Sequence, residues 1–435
     1  MIIGIRREDK NKWERRVPLV PNDLEELKFK HSIDSIVQPS DIRCFTNKNY
    51  LDCGVGVSED ISSADVVFAI KEIPLSLFRN GKTYVFFSHS FKGQSHNMPM
   101  LRRLMELGCN LIDYEKIVDE AGKRLIFFGS FAGFAGMIDS LHLLGEKFKA
   151  QGYSTPLEKI KFAHEYNSLE EAKIEIKRIG QEISEKGLPA KLAPIVIGFA
   201  GYGNVSKGAQ EIFNLLPHKI ITPDILPTIH NSLTLDNKSF YKVVFKESDM
   251  FRRKEGAFNL SEYFSNPENY KSKFETYLPY LTALINCIFW TDKYPRIVTK
   301  KDLSDALLSD NLKLKFIGDI SCDINGSVEI TYKATTPDNP VFTYFPNKGS
   351  FSDNMEKDGV TVLAIDNLPC ELPKESSSFF SSLLKQFAVS ICNADFNLPF
   401  EKIEIDNYLK KAIILHKGKL TDDFKYLEKF VKDVK

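Results

Sequence analysis

The run Pro194-Ile-Val-Ile-Gly-Phe-Ala-Gly-Tyr-Gly-Asn-Val-Ser-Lys-Gly-Ala-Gln-Glu-Ile-Phe213 decides how the rest of the chain is read. Its first half is an apolar run of strand length, and its second half, from Asn204, has helical spacing. They meet at Gly201-Tyr-Gly203, a strand turning through two glycines into a helix, which is the context of the dinucleotide fingerprint. Gly201 allows the tight turn, and Gly203 lets a pyrophosphate approach the first-turn amides of Asn204, Val205 and Ser206, where the helix dipole favours an anion. Ser206 stands where a third glycine is usual, and Gly208 follows two residues later. A bare pair of glycines also suits a ligand-free turn; the strand before and helix after favour the cofactor.

Outward from this loop, short β-branched runs alternate with amphipathic helical stretches, the pattern of parallel sheets flanked by helices. Strands are expected at 219–222, 242–245, 283–290 and 315–320, with a polar, aromatic-rich elaboration over 249–280. Upstream, strands at 2–5, 35–38, 66–69, 83–87 and 110–112 with helices at 24–30 and 98–108 describe a first doubly wound domain. Gly129-Ser-Phe-Ala-Gly-Phe-Ala-Gly136 leads into a helical pattern over 137–151 and suits tight helix packing or a crossover between domains. Downstream come a strand at 360–365 and a helix at 376–392. The fold class is α/β with two Rossmann-like domains: a discontinuous substrate-binding domain of 1–130 plus 333–435, and a dinucleotide-binding domain of 131–332.

The carboxylate expected on the adenosine ribose is Asp224, 23 positions after Gly201 and favouring NAD, although Asp after Pro also suits a turn or cap. Arg252-Arg253-Lys254 is a counter-candidate, a clamp for a 2′-phosphate or a solvated loop. In the first domain Lys71 ends one strand and His89 follows the next, so both point toward the crevice beyond the carboxyl ends, where ligands of open α/β sheets bind. A lone Lys or His is more often structural; together they suit proton transfer. Arg15, Arg16 and Arg124 are placed to grip carboxylates at the same rim, with Asp113, Glu115, Asp319 and Asp323 closing other strands.

Lys+Arg and Asp+Glu both total 58 of the 435 residues, so no basic excess favours nucleic acid or an anionic membrane. The seven cysteines (44, 53, 109, 287, 322, 370 and 392) form no CxxC pair and no metal-ligand spacing, and read as reduced thiols. No metal is expected. No apolar run approaches the ~20 residues that span a bilayer. Met1-Ile-Ile-Gly-Ile reads as a buried strand rather than a leader, so the expected location is the mitochondrial matrix if an import sequence has been removed, and otherwise the cytoplasm.

Ordered blocks across nearly the whole chain carry a family resemblance: Ile5-Arg-Arg-Glu-Asp9, Trp13-Glu-Arg-Arg-Val-Pro-Leu-Val-Pro21, Phe86-Phe-Ser-His-Ser90, Leu111-Ile-Asp-Tyr-Glu-Lys116, Phe128 to Met137, Gly203 to Gln210, Gly318-Asp-Ile-Ser-Cys-Asp323 and Ile365 to Pro373. The chain resembles the lysine 2-oxoglutarate reductase half of bifunctional α-aminoadipic semialdehyde synthases, in a wider group with lysine-forming saccharopine dehydrogenases and alanine dehydrogenases. The resemblance implies two Rossmann-like domains with the active site in the interdomain cleft. It places the proton-transfer pair on Lys71 and His89, the carboxylate arginines on Arg16 and Arg124, and supporting acids on Glu14, Glu72, Glu115 and Asp319. It also makes Asn286, in Ile285-Asn-Cys-Ile-Phe-Trp290, a cofactor contact.

The implied reaction joins lysine to 2-oxoglutarate as saccharopine, in lysine degradation, with NADPH as donor and NADH the alternative. A glutamate-forming saccharopine dehydrogenase half is the implied neighbour in a longer protein; no part of this sequence encodes it, so the chain reads as a monofunctional enzyme or an excised domain. Competing readings are a lysine-forming saccharopine dehydrogenase, an alanine dehydrogenase, the nucleotide-binding component of a transhydrogenase, and a nucleotide-binding protein without turnover.

Overall fold

Val66–Phe68, Thr83–Phe86 and Asn110–Asp113 are buried along their whole length and Ile2–Ile5 over three of four residues, as strands covered by helices on both faces must be. The computed structural model describes residues 1–229, 236–309 and 312–432. The parallel part of this first sheet runs in the order Asn110–Asp113, Thr83–Phe86, Val66–Phe68, Ile2–Ile5, Asp34–Val37, Gly56–Val57. Ile413–His416 adds antiparallel to Asn110–Asp113, and Lys419–Leu420 ends the sheet. Parallel pairing brings the chain out of four strands at one edge, so the residues after Ile5, Phe68, Phe86 and Asp113 emerge together.

The unit holding this sheet is Met1–Phe128 with Pro373–Lys435, and the second is Gly129–Leu372. The return to the first unit therefore comes at Pro373 rather than at 333. Val341–Phe345, Ser350–Ser352 and Val360–Leu363 are tied by main-chain hydrogen bonds to the second sheet, which keeps 333–372 there. The long helix Pro373–Asn393 then packs on the first unit. Val17 and Val20 donate their N–H groups to Ser377 Oγ and Ser381 Oγ, each at 3.0 Å, and Phe380 stacks on Phe128 with centroids 4.5 Å apart.

The second sheet runs Ser350–Ser352, Val341–Phe345, Val360–Leu363, Phe316–Asp319, Ala283–Asn286, Val196–Ala200, Phe240–Phe245, His218–Ile221. Its order departs from the sequential one at the glycine-loop strand. His218–Ile221, next in the chain, lies at the edge, and Phe240–Phe245 pairs with Val196–Ala200. Burial explains this: His218–Ile221 has no buried residue, whereas Phe240–Phe245 buries four of six and needs cover on both sides.

The small-residue stretch becomes the first turn and a half of the helix Phe131–Ala150, which packs on Asn204–Phe213. A Cβ on Gly133 would sit 2.0 Å from the Val205 carbonyl oxygen, and one on Gly208 would sit 2.3 Å from that of Ser130. Backbone-to-backbone approach, available only to glycine, thus fixes the helix that follows the glycine loop. The elaboration after residue 249 forms a two-stranded ribbon, Phe251–Arg253 with Tyr270–Ser272, packed by Phe251, Phe258, Tyr263 and Tyr270.

Candidate functional site

The carboxyl-end edge of the first sheet collects matched acids and bases. Past Ile5, Arg16 Nε and Nη2 donate to the two oxygens of Glu14, both at 2.7 Å; the pair is buried, and the guanidinium lies 4.0 Å over the Phe128 ring. Past Phe68 come Lys71 and Glu72. Burial lowers the Lys71 ammonium below its ordinary value, the nearby Arg16 and Lys10 charges lower it further, and Glu14 and Glu72 oppose. Past Phe86, His89 Nδ1 lies 3.0 Å from Glu72 Oε1, and Lys10 Nζ donates to Glu72 Oε2 at 3.0 Å. Burial works against ionisation of Glu72, yet hydrogen bonds from His89, its own amide and Lys10 outweigh it and hold the carboxyl at about 2. Past Asp113, Glu115 Oε1 accepts from Arg124 Nη2 at 2.6 Å, with Lys92 3.5 Å from the other oxygen. Lys71, His89, Arg16, Arg124, Glu14, Glu72 and Glu115 thus all lie beyond neighbouring strand ends of one sheet.

Two buried carboxyls that sequence reasoning left unassigned hold this edge in shape. Glu8 accepts from the N–H groups of Ile70 and Lys71 at 2.6 and 3.0 Å, fixing the backbone from which Lys71 projects. Burial, helped by the charge of Glu14, pushes Glu8 up to about 7. Asp113 performs the same office for His89, taking the Ser88 and His89 N–H groups and the Ser88 hydroxyl on one oxygen. The available signal was an acidic residue ending a strand or following the first one, which alone does not separate a holder from a surface charge.

In the second unit Gly201 has φ +89°, which only glycine adopts freely, and a Cβ on Gly203 would meet no protein atom within 4 Å. That space lies in front of the first turn of Asn204–Phe213, which no side chain caps. Open space before uncapped amides fits a pyrophosphate. Gly201, Gly203, Asn204 and Val205 line one crevice, but Ser206 is buried and its hydroxyl accepts from Gln210 Nε2 at 2.9 Å. Ser206 therefore substitutes for glycine in packing, with its side chain outside the crevice.

Other sequence-derived cofactor contacts also sit differently from expectation. Asp224 is exposed on the short turn Pro223–Ile225 after the edge strand and is not among the crevice-lining residues. Arg252 and Arg253 belong to the ribbon, and Arg253 is held by Glu262 at 2.7 Å. Asn286 and Asp319, register partners at two strand ends, are buried and satisfy each other: Asn286 Nδ2 donates to Asp319 Oδ1 at 2.7 Å and to Ser327 Oγ at 2.8 Å. Thr331 Oγ1 donates to the other Asp319 oxygen at 2.6 Å, and burial pushes this carboxyl up to about 6. Among the described residues no three His, Cys, Asp or Glu side chains gather as metal ligands would, and no helix is long and apolar enough to cross a membrane.

Comparison with known proteins agrees with this architecture. Residues 4–135 match the family model "Alanine dehydrogenase/PNT, N-terminal domain", and residues 291–423 match "Alanine dehydrogenase/PNT, C-terminal domain". The chain is 38% identical to the α-aminoadipic semialdehyde synthase of Arabidopsis thaliana, over 99% of its own length and 42% of that protein. It is 35% identical to the mitochondrial α-aminoadipic semialdehyde synthase of Mus musculus, over 98% and 48%. The chain thus spans less than half the length of these curated relatives. A saccharopine dehydrogenase [NAD(+), L-lysine-forming] of Candida albicans is 23% identical over 91% of the chain and 93% of the relative. Among solved structures, an L-alanine dehydrogenase superposes with TM-score 0.62 at 16% identity over all of both chains, and the transhydrogenase of Sinorhizobium meliloti with 0.58 at 14% over 97% and 100%. Matched at both ends by one pair of domain models that together cover more than half of it, and related throughout to part of the α-aminoadipic semialdehyde synthases, the chain belongs to the alanine dehydrogenase/PNT family.

Proposed function

We propose that the chain reductively condenses L-lysine with 2-oxoglutarate to saccharopine, using a reduced nicotinamide nucleotide. The observation that carries this reading is the Lys71 and His89 pair at neighbouring strand ends, set among carboxylate-binding arginines that are themselves held by acids. When the lysine ε-amine adds to the keto carbon, the nitrogen must lose a proton; when the carbinolamine collapses, the leaving hydroxyl must gain one. Lys71, with its ammonium lowered by burial, and His89, steadied by Glu72, are the groups of this sheet edge suited to moving those protons. Arg16 and Arg124 bind and orient substrate carboxylates, each as a planar donor whose acid partner, Glu14 or Glu115, sets its angle. The bound nucleotide supplies hydride to the imine carbon. Its pyrophosphate is held by the amides after Gly203, with Asn286 and Asp319 keeping two adjoining strand ends locked together. The family resemblance implies NADPH as donor, with NADH the alternative.

Purified protein should oxidise reduced nucleotide only with both lysine and 2-oxoglutarate present, and the product should have the mass of saccharopine. Equal activity with pyruvate and ammonia would replace this reading by that of an alanine dehydrogenase.

A further inference from the structure

We propose that Glu247, not Asp224, meets the adenosine ribose hydroxyls in this chain, and that it makes the chain prefer NADH to NADPH. The inference rests on the nucleotide-dependent reading above. In a dinucleotide fold the ribose carboxylate comes from the carboxyl end of the strand beside the glycine-loop strand. In most sequences that neighbour is also the next strand along the chain, which is why Asp224 is the natural candidate by counting. Here the neighbour is Phe240–Phe245: Ala200 pairs with Phe245, and the Gly201 N–H donates to the Phe245 carbonyl at 3.0 Å. The chain leaves that strand at Lys246, and Glu247 is the next residue.

Glu247 lines the same crevice as Gly201 and Gly203. Tyr202, between the two glycines, lines it as well, and the neighbouring Glu247 carboxylate raises the Tyr202 phenol above its ordinary value. Beyond Glu247 the crevice, about 530 Å³ and open to solvent, is walled by Phe251, Phe264, Ile288 and Phe289. Phe264 is 54% exposed and Phe289 83%, apolar ring surface of the kind on which an adenine packs. Vicinal ribose hydroxyls can both donate to one carboxylate, in charge-assisted bonds. A 2′-phosphate in their place would bring like charge against Glu247, and among the described residues no lysine or arginine lines the crevice to offset it. Of the Arg252-Arg253-Lys254 run, Arg253 is held by Glu262.

The test is equilibrium titration of the purified protein with NADH and with NADPH, read by nucleotide fluorescence in the absence of lysine and 2-oxoglutarate. Wild type should bind NADH at least about tenfold more tightly. Glu247→Gln should lose about ten- to a hundredfold in NADH affinity, the worth of hydrogen bonds to a charged group, and should hold NADPH as well as or better than wild type. Glu247→Ser should shift the ratio the same way, and Asp224→Ala should leave it unchanged. Tighter NADPH binding by wild type, an unaltered ratio in both Glu247 variants, or a ratio moved by Asp224→Ala overturns the assignment. Because no substrate is present, the outcome is separable from the reaction: nucleotide discrimination as described without lysine-dependent turnover overturns the proposed reaction alone, and failure to bind either nucleotide overturns both.

Discussion

The carboxylate of Asp113 accepts the main-chain N–H of His89 at 3.0 Å, and His89 has φ +51°, in the left-handed region that non-glycine residues seldom enter. Such a backbone costs on the order of 1–3 kcal/mol and persists where its surroundings over-determine it. The same Asp113 oxygen takes Ser88 N at 2.9 Å and Ser88 Oγ at 2.6 Å, and its other oxygen takes Glu115 N at 2.8 Å. The strand end carrying Glu115 and the turn carrying His89 are therefore tied to one side chain.

Asp113 is accordingly a positioning residue. Asp113→Ala should lower turnover about 10- to 100-fold, the worth of the buried charged hydrogen bonds it removes, and Asp113→Asn should lower it less. Nucleotide affinity should stay at the wild-type value, since the glycine loop lies in the other unit, and the pH–rate profile should change shape as His89 loses its fixed place. Unchanged turnover and an unchanged profile in Asp113→Ala would make the contact purely structural.

Lys71→Met and His89→Gln should each reduce turnover roughly 100- to 10,000-fold, the range of general acid–base groups. If the two residues act on the same proton transfers, the double variant should lose less than the product of the single losses. Steady-state rates of the four proteins complete the cycle. Full additivity would mean that the two groups serve independent steps, and near-full turnover in either single variant would remove that residue from the chemistry.

The buried Glu14–Arg16 pair makes a stability prediction. Removing one member strips the other buried charge of its two-point partner, so Glu14→Ala should destabilise the first unit by roughly 3–5 kcal/mol, measured by denaturant unfolding. Arg16→Met, which removes the charge but leaves Glu14 buried, should cost a similar amount. The double change Glu14→Leu with Arg16→Met should recover most of the loss while turnover stays abolished.

In the second unit a pair of buried acids sets a pH dependence. Asp139 Oδ1 accepts the Ala163 N–H at 2.8 Å, and Glu371 Oε2 lies 2.9 Å from His164 Nδ1. Both carboxyl groups are buried, and both are held above their ordinary values. Burial, then the charge of Glu371, raises Asp139; burial pushes Glu371 up to about 7. Folded values above unfolded ones mean that the native state holds protons the unfolded chain has released. The stabilisation from Glu371 is complete below about pH 4 and is lost as pH rises through about 7, by on the order of 3 kcal/mol, and that from Asp139 is likewise lost on the alkaline side. The thermal midpoint should therefore fall between about pH 5 and pH 8, and Glu371→Gln, which has no proton to release in this range, should flatten that fall. A slope unchanged in Glu371→Gln would place the pH dependence elsewhere.

Alternation of apolar runs with helical spacing, and glycine where a strand must turn into a helix, are local properties, so the sequence by itself determined the parallel strands of the two α/β sheets apart from Gly56–Val57, most of them within a residue or two, and the place of Gly201 and Gly203, but none of the antiparallel additions. It likewise determined that Lys71 and His89 follow successive strands, because parallel pairing sends both out at one edge. Strand order is not local. Only the tertiary structure decided that Phe240–Phe245 comes between Val196–Ala200 and His218–Ile221, because what selects a strand for the sheet interior is how much apolar surface it offers to helices contributed from elsewhere in the chain. That choice carries Asp224 away from the glycine loop and brings Glu247 to it. Hydrogen-bond satisfaction is equally non-local: Glu8 reaches Ile70 and Lys71, and Ser377 reaches Val17, across 62, 63 and 360 positions of sequence. Such partners are found only when the chain has closed on itself, because a buried donor or acceptor takes whatever group folding brings within reach.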